Sequence, residues 1–404
     1  MILVNKSLYN KCLILIMLLY ILSSYLCQET LLPTKINSLL LYGFVAFSFV
    51  VILLMRGYVN YRFSRWYLIF FVYSSLSAML MADNVFPTLY QMFVVLILTI
   101  CFSVSIDCRT TLNLTAITFV VAAVLMGLLI ILYNPSYLIV NLGELSGVRL
   151  GEEETGNANI FTALMMFSAV FASWLIFNHT NIVIRILCGL SLLLILYLMA
   201  LSGGRKTIIA VVACLLYFIW KKCAKKKITA MISILIILCA IIYMMKNIPW
   251  LYDIIGYRFD GFFGFLSGTR ESNVSSDDLR IDMIKNGLIG WTERPLFGHG
   301  LDSFKFFNRR TTGHMFYSHN NYVELLYDFG LVGFTLYYYF IYKTFDKLRT
   351  LPEEYSKYSV LGIGIILELL LFDFGGVSYY MNGNMIMLCI VSQIAYSSRL
   401  INSH

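Results

Sequence analysis

Apolar residues fall into long runs along this chain, and short polar segments separate one run from the next. A helix needs about 20 consecutive apolar residues to cross a lipid bilayer. Backbone polar groups inside a bilayer must bond to one another, so such runs predict helices. Twelve spans are predicted, at 12–27, 36–55, 66–82, 86–104, 112–133, 157–177, 184–202, 207–220, 228–245, 321–342, 358–372 and 377–396. The run at 207–220 is short for a span.

The composition excludes a water-soluble domain. Of the 404 residues, 59% are hydrophobic and only 13% are charged, and the mean hydropathy is +0.78. Soluble domains carry about 25% charged residues. We therefore predict an all-α, polytopic integral membrane protein with about 12 transmembrane helices, in which residues 1–404 form a single membrane domain. A long loop at 246–319 separates the ninth predicted span from the tenth.

Lysine and arginine concentrate in the short loops between the predicted spans. In membrane proteins such residues mark the cytoplasmic side. With the N-terminus inside, seventeen of them fall in inner segments and four in the short outer loops. Both termini are therefore predicted to be cytoplasmic and the 246–319 loop extracytoplasmic. The run KKCAKKK at 221–227 then acts as a topology anchor, and the alternative is a site for anionic lipid or a partner.

Charge and cysteine usage limit the partners further. The formal net charge of +8 does not indicate nucleic acid, because the basic residues lie beside the spans. We expect the lipid bilayer as a partner and no nucleic acid. The nine cysteines show no metal-ligand spacing, and the 246–319 loop contains none. We therefore expect no metal ion, no other cofactor and no disulfide framework in the loop.

The stretch 293–333 joins a basic, glycine-punctuated segment to an apolar helix. His319 and Asn320 stand where the two meet. The positive end of a helix disfavours imidazolium, which leaves a histidine there available as a base. Asn320, Glu324 and Asp328 follow one another at i+4 spacing, which predicts one polar stripe facing a polar chamber. The alternative is that His319 only caps the helix and the nearby arginines only touch lipid headgroups.

Two further outer segments carry candidate arginines. In the turn SGGRKT at 202–207, glycines let the backbone approach an anion close to Arg205, and Thr207 opens the next helix, whose positive end favours an anion as well. A planar guanidinium group also suits phosphate. The apolar spacing at 277–291 predicts a helix along the membrane surface, with Arg280 near its start and Gly290 at its end. The alternatives are a simple hairpin with a snorkelling arginine and an ordinary surface helix.

These features together resemble the signature of the O-antigen ligase and polymerase superfamily of bacterial envelope polysaccharide enzymes. The resemblance rests on His319-Asn320, followed after nine residues by Gly330-x-x-Gly333. The turn PLFGHG at 295–300 and the SGGR turn that ends at Arg205 fit the same pattern. So does the order of elements, with about nine spans, a long external loop and three more spans.

The resemblance implies a metal-independent glycosyl transfer in a GT-C-type membrane fold. The donor would be a glycan on undecaprenyl pyrophosphate, and the acceptor another lipid-linked glycan in polymerases or lipid A–core in ligases. Arg205 and Arg280 would grip the pyrophosphate leaving group, and His319 would deprotonate or orient the acceptor hydroxyl. Asn320 and Glu324 would contact the substrate as well.

We favour a polymerase that assembles capsular or O-antigen polysaccharide from repeat units, with an O-antigen ligase as the alternative. Candidate partners besides the undecaprenyl-pyrophosphate-linked oligosaccharide are a chain-length regulator and a flippase. The expected location is the inner (cytoplasmic) membrane of a bacterial cell, with the active site on the extracytoplasmic face. Carboxylates at Glu368 and Asp373 keep a third hypothesis open, a proton-coupled transporter without transferase activity.

The charge distribution generates a topology prediction. A cysteine placed at Ser275, in a variant without native cysteines, should react with a membrane-impermeant reagent on intact cells. A cysteine at Ser356 should stay protected until the membrane is opened. The reverse labelling pattern would overturn the predicted orientation.

Overall fold

The computed structural model describes residues 6–28, 31–55, 59–79, 85–133, 135, 150–151, 157–222, eight residues between 228 and 247, 276–313, 315–397 and 400. Among these residues there is no β-strand, and most of them are helical. The described helices are α1 (Lys6–Leu26), α2 (Thr34–Met55), α3 (Arg62–Ala78), α4 (Phe86–Ser105), α5 (Arg109–Tyr133), α6 (Ala158–Asn178), α7 (Ile182–Ser202), α8 (Arg205–Lys222), α9 (Ser276–Trp291), α10 (Ser303–Thr312), α11 (Asn321–Arg349), α12 (Ser356–Asp373) and α13 (Asn382–Tyr396). A short 3-10 turn, Glu353–Tyr355, precedes α12.

Seven helices of the described part are long and apolar enough to cross a membrane. They are α1, α2, α4, α5, α6, α7 and the 21-residue segment Glu353–Asp373, which contains α12. The prediction of an all-helical, multi-pass membrane protein is thereby confirmed. The number twelve stays a prediction, because four other predicted spans form α3, α8, α11 and α13 without being among the seven. The predicted span at 228–245 lies largely outside the described residues.

One predicted span begins later than expected. The span predicted from residue 377 begins only at Asn382, because the preceding residues bond elsewhere: the Ser378 N–H donates to Asn321 Oδ1 at 2.9 Å. Helix α9 runs from Ser276 to Trp291, in agreement with the predicted range 277–291, and Gly290 lies in its last turn. Gly290 is needed there for packing, since a Cβ on it would lie 2.5 Å from the ring of Tyr327.

Contacts group the chain into two compact units. The first consists of Met1–Val51 and Arg109–Glu271, and the second of Ile52–Cys108 and Ser272–His404. In the first unit α6 is buried along most of its length. Its Ser168 hydroxyl donates to the Phe119 carbonyl at 2.8 Å, and the Tyr25 hydroxyl donates to the Leu164 carbonyl at 2.8 Å. These two hydroxyls inside the apolar bundle therefore find backbone partners, as a membrane interior favours.

Aromatic side chains of α3 hold the second unit together. Trp66 stacks on Phe340 of α11, with ring centroids 4.5 Å apart, and its indole N–H donates to the Leu336 carbonyl at 3.0 Å. The Tyr67 hydroxyl donates to the Tyr379 carbonyl at 3.0 Å, in the segment before α13. Helix α3 thus buries a large apolar area and satisfies its polar tips at the same time.

Helix α11 is broken at Gly330. This residue has φ 62° and ψ −167°, a backbone conformation that is open essentially to glycine alone. The span predicted at 321–342 is therefore not one continuous helix. It consists of a first half, 321–329, and a second half, 331–349.

The segment 295–300 replaces the hydrogen bonds that the break removes. In an unbroken helix the N–H groups of Leu331 and Val332 would bond carbonyls four residues earlier. Here they donate to the carbonyls of Pro295 and Leu296, at 2.9 and 3.1 Å. The carbonyls that would have received them, those of Tyr327 and Asp328, accept from the N–H groups of residues 299 and 300 at 2.9 and 2.8 Å. The exchange gives each of these two N–H groups and two carbonyls a hydrogen-bond partner.

Gly298 and Gly330 make the close approach between the segment 295–300 and helix α11 possible. This backbone contact is called the crossing below. A Cβ on Gly298, which has φ 70°, would lie 2.5 Å from the carbonyl carbon of Asp328. A Cβ on Gly330 would collide with the carbonyl group of Leu296. The two glycine motifs of the sequence are therefore two sides of one backbone contact.

We expect Gly330→Ala to destabilise the protein strongly. The backbone conformation of Gly330 costs a residue other than glycine about 1–3 kcal/mol, and the collision with backbone atoms adds to that cost. Gly189→Ala is the matched control, because a Cβ there meets nothing within 4 Å on helix α7 and alanine favours a helix. Thermal unfolding of the purified protein in detergent should show a large drop for the first variant alone. Equal melting temperatures would contradict the crossing.

Candidate functional site

The candidate site begins in the turn before α11. His319 has φ 56°, in the left-handed region that few residues other than glycine adopt. Asn320 follows as the N-cap of α11, and its side-chain oxygen accepts from the Val323 N–H at 3.1 Å. The helix cap is therefore Asn320, so the alternative in which His319 serves as the cap is wrong. A strained conformation of this kind is maintained only where the surroundings impose it.

Hydrogen bonds on both sides of His319 impose the turn. The Ser318 hydroxyl donates to the Asn320 carbonyl at 2.7 Å and accepts from the Asn320 N–H at 3.1 Å. The Ser318 N–H donates to Oε2 of Glu324 at 2.7 Å. Ser318 and Glu324 are both completely buried. His319 thus lies between two immobilised neighbours, while its own side chain stays partly exposed.

Tyr317 lies beside His319 and within electrostatic range of Arg280. Its ring lies 4.2 Å from the imidazole, centroid to centroid, with the planes tilted by 44°. Burial raises the pKa of Tyr317, the negative charge of Glu324 raises it further, and the positive charge of Arg280 opposes the rise. Arg280 on α9 is therefore close enough to Tyr317 for its charge to lower the pKa of the tyrosine.

Asp328 holds the start of helix α10. Its Oδ1 accepts from the Ser303 hydroxyl and the Phe304 N–H, at 2.9 and 3.0 Å, and its Oδ2 accepts from the Asp302 N–H at 3.0 Å. The Tyr379 hydroxyl donates to Oδ2 as well, at 3.3 Å. N–H groups at a helix start have no partner within the helix. A carboxylate from another helix supplies it here.

Asp302 completes the polar cluster beside Asp328. It adopts a left-handed conformation with φ 60°, and its Oδ2 accepts from the Thr88 hydroxyl at 2.5 Å and pairs with Lys305. Burial raises the pKa of Tyr380 well above its ordinary value, and the charges of Glu324 and Asp302 add to the rise. The cluster is therefore acidic and largely closed to water.

His299 ties α9 to α11 and is not part of this cluster. Its Nε2 lies 2.8 Å from the Gly290 carbonyl, which can only accept, so this nitrogen carries the proton. Its ring stacks on Tyr327 with centroids 4.5 Å apart. The histidine in the PLFGHG turn therefore has a structural role, and its geometry explains the residue type.

A comparison with protein families supplies the identity of this region. Residues 190–338 match the family described as O-antigen ligase. The match supports the resemblance to the O-antigen ligase and polymerase superfamily that the sequence motifs indicate. The match covers less than half of the chain and includes the SGGR turn, Arg280 and the whole stretch from His319 to Gly333. A search of curated proteins finds no match to the chain.

The O-antigen ligase region extends into the first unit at Arg205. Helix α7 ends at Gly203 in a left-handed conformation, φ 66°, and α8 begins at Arg205. A Cβ on Gly204 would lie 2.5 Å from a methyl group of Thr162, so the turn is tightly packed. The helix predicted to open at Thr207 begins two residues earlier, at Arg205. Its part in the site stays a prediction.

The structure gives the predicted site residues different surroundings. His319 lies beside Tyr317, whose pKa is raised by burial and lowered in part by the charge of Arg280, whereas the oxygens of Asn320 and Glu324 bond the chain's own backbone. The predicted stripe on α11 thus carries structural hydrogen bonds, and substrate contact by Asn320 and Glu324 stays a prediction. Sequence reasoning missed Tyr317 and Ser318. Ser318 with Glu324 resembles a capping box, but its spacing of six residues is longer than that of the usual motif.

Metal binding finds no support in the described part of the chain. Among those residues no group of three or more histidine, cysteine, aspartate or glutamate side chains could hold a metal ion. The acidic cluster of Asp302 and Asp328 is already occupied by hydrogen-bond donors and by Lys305.

Proposed function

We propose that the protein transfers a glycan from an undecaprenyl-pyrophosphate carrier to a glycan acceptor and so polymerises repeat units of a capsular or O-antigen polysaccharide. The observation that carries the proposal is His319 in its strained turn, at the start of the O-antigen ligase signature. The imidazole is held by buried neighbours, partly exposed, and close to an arginine-bearing helix.

The proposed reaction is a single displacement at the anomeric carbon of the donor. The acceptor hydroxyl oxygen forms a bond to this carbon while the bond from the carbon to the diphosphate oxygen breaks. The diphosphate leaves with the bonding electrons, still attached to its lipid. His319 accepts the proton of the attacking hydroxyl, a role for which a neutral imidazole is suited near neutral pH.

The arginines would stabilise the charge that develops on the departing diphosphate. Arginine offers a planar set of donors that matches phosphate oxygens, and prearranged donors at the site of developing charge are a main source of catalysis. Arg280 is supported by its electrostatic effect on Tyr317 beside His319. Arg205 is supported by its position at the first residue of α8, inside the matched region.

Two other functions remain candidates. Ligation of the glycan to lipid A–core is favoured by the description of the matched family, O-antigen ligase. A proton-coupled transporter would instead move a solute without changing glycan chain length. Incubation of the purified protein with lipid-linked repeat units separates the three: a polymerase lengthens the chains, a ligase needs lipid A–core, and a transporter gives no product.

We expect Arg205→Ala and Arg280→Ala each to reduce transfer by about 10²–10³-fold, the usual effect of removing one charge-stabilising donor. Arg205→Lys should also be poor, because an ammonium group cannot make a planar two-point contact. Lys225→Ala, in the predicted topology anchor, is the control and should be active. Wild-type product from both alanine variants at normal protein levels would remove the arginines from the proposal.

We expect His319→Asn to reduce transfer by about 10²–10⁴-fold, the range for loss of a general base. Asparagine tolerates the left-handed conformation well, so this variant removes the imidazole and keeps the turn. Binding of the lipid-linked donor should be retained. The control is His179→Asn at the end of α6, which should transfer normally. Near wild-type rates from His319→Asn would show that the imidazole has no part in the reaction.

A further inference from the structure

We infer that Glu324 is a positioning residue, which holds His319 in its reactive orientation by accepting the Ser318 N–H. The property that matters is the length of its side chain, which reaches Ser318, and not its charge. The inference rests on the proposed function of His319 and assigns Glu324 a role different from substrate contact. It is carried by the closed set of hydrogen bonds around residues 318–324.

The set of bonds resembles a capping box in which the returning side chain bonds a residue six positions earlier instead of three. In the usual box the third helical residue bonds back to the cap residue. Here the cap is Asn320, and the side chain that returns is Glu324, which passes His319 and bonds Ser318 at 2.7 Å. The Glu324 N–H in turn donates to the Asn320 carbonyl at 3.0 Å. Glu324 therefore closes a ring of chain around His319.

The ring has a task, because the conformation of His319 is unfavourable by itself. A left-handed residue other than glycine costs about 1–2 kcal/mol and reverts unless its neighbours prevent it. Ser318 and Asn320 are both buried and bonded to each other. Glu324 is the side chain within α11 that bonds this pair, through the Ser318 N–H.

Hydrogen-bond counts indicate that the charge of Glu324 is not needed. Asp328, one turn further along α11, accepts four hydrogen bonds and is bonded as an ionised carboxylate would be. Glu324 accepts at Oε2, whereas its buried Oε1 has no hydrogen-bond partner among the described residues. An amide would satisfy the same Ser318 N–H. Reach, which aspartate lacks by one methylene group, is then the property that matters.

The test separates reach from charge with two variants of the full-length, purified protein. Glu324→Gln keeps the reach and removes the charge, whereas Glu324→Asp keeps the charge and shortens the reach. The assay measures kcat, KM for the acceptor and the pH profile with lipid-linked repeat units. Glu368→Gln is the control, because Glu368 is equally buried and neither of its oxygens bonds a described residue.

We expect Glu324→Gln to stay within about threefold of wild type with an unchanged pH profile. Glu324→Asp should lose about 10²-fold in kcat with KM unchanged, the usual effect of misplacing a catalytic group by about 1 Å. In a His319→Asn background the aspartate variant should cause no further loss, measured in single turnovers with excess enzyme. A purely structural defect would instead lower the melting temperature and would persist in that background.

Three results would overturn the inference. An inactive Glu324→Gln would show that the charge takes part in the chemistry. A raised KM with unchanged kcat would make Glu324 a substrate contact, and an additional loss in the His319→Asn background would show an action independent of the imidazole. Failure of the proposed function itself would look different, because wild-type protein would then form no glycan product before any variant is tested.

Discussion

The close backbone contact between Gly298 and Gly330 is the constraint on which the second unit depends. It exchanges two hydrogen bonds inside α11 for four bonds to the segment 295–300. Such an exchange is possible only where neither backbone segment carries a Cβ at the contact, because a Cβ on one segment would collide with backbone atoms of the other segment. The crossing thereby ties the loop that leads to α10 directly to the middle of α11. The positions of Asp302 and of the turn before His319 follow from it.

Breaking the helix also changes what its polar residues can do. In an unbroken span, Glu324 and Asp328 would be carboxylates facing lipid or a wet cavity, which is costly. In the structure the first half of α11 has no exposed residue, and these carboxylates bond the backbone of neighbouring segments. Asp328 organises α10, and Glu324 organises the turn at His319. The cost of burying them is offset by the N–H groups that they satisfy.

Hydropathy alone predicted most helices of this chain, since a bilayer leaves an apolar run few alternatives to a helix. It could not predict the break at Gly330, because the apolar run continues beyond this residue as it would in an unbroken span. Gly330 was found from sequence without its role at the helix break, and the catalytic role that the sequence predicted for His319 stays a prediction. The link from Ser318 to Glu324 has a spacing that no standard cap shows. Bonds from Asp328 to α10 join residues about 25 positions apart, and only tertiary structure reveals them.

The two halves of α11 also have different surroundings. The second half, 331–349, presents exposed apolar side chains such as Leu331, Val332 and Tyr339, as a lipid-facing helix does. The first half is enclosed by α9 and α10, whose Met283 and Phe304 pack on Tyr327. A titratable histidine at the start of the enclosed half is therefore surrounded by protein groups with defined positions. Electrostatic catalysis requires such prearranged surroundings, and a site exposed to mobile lipid headgroups could not provide them.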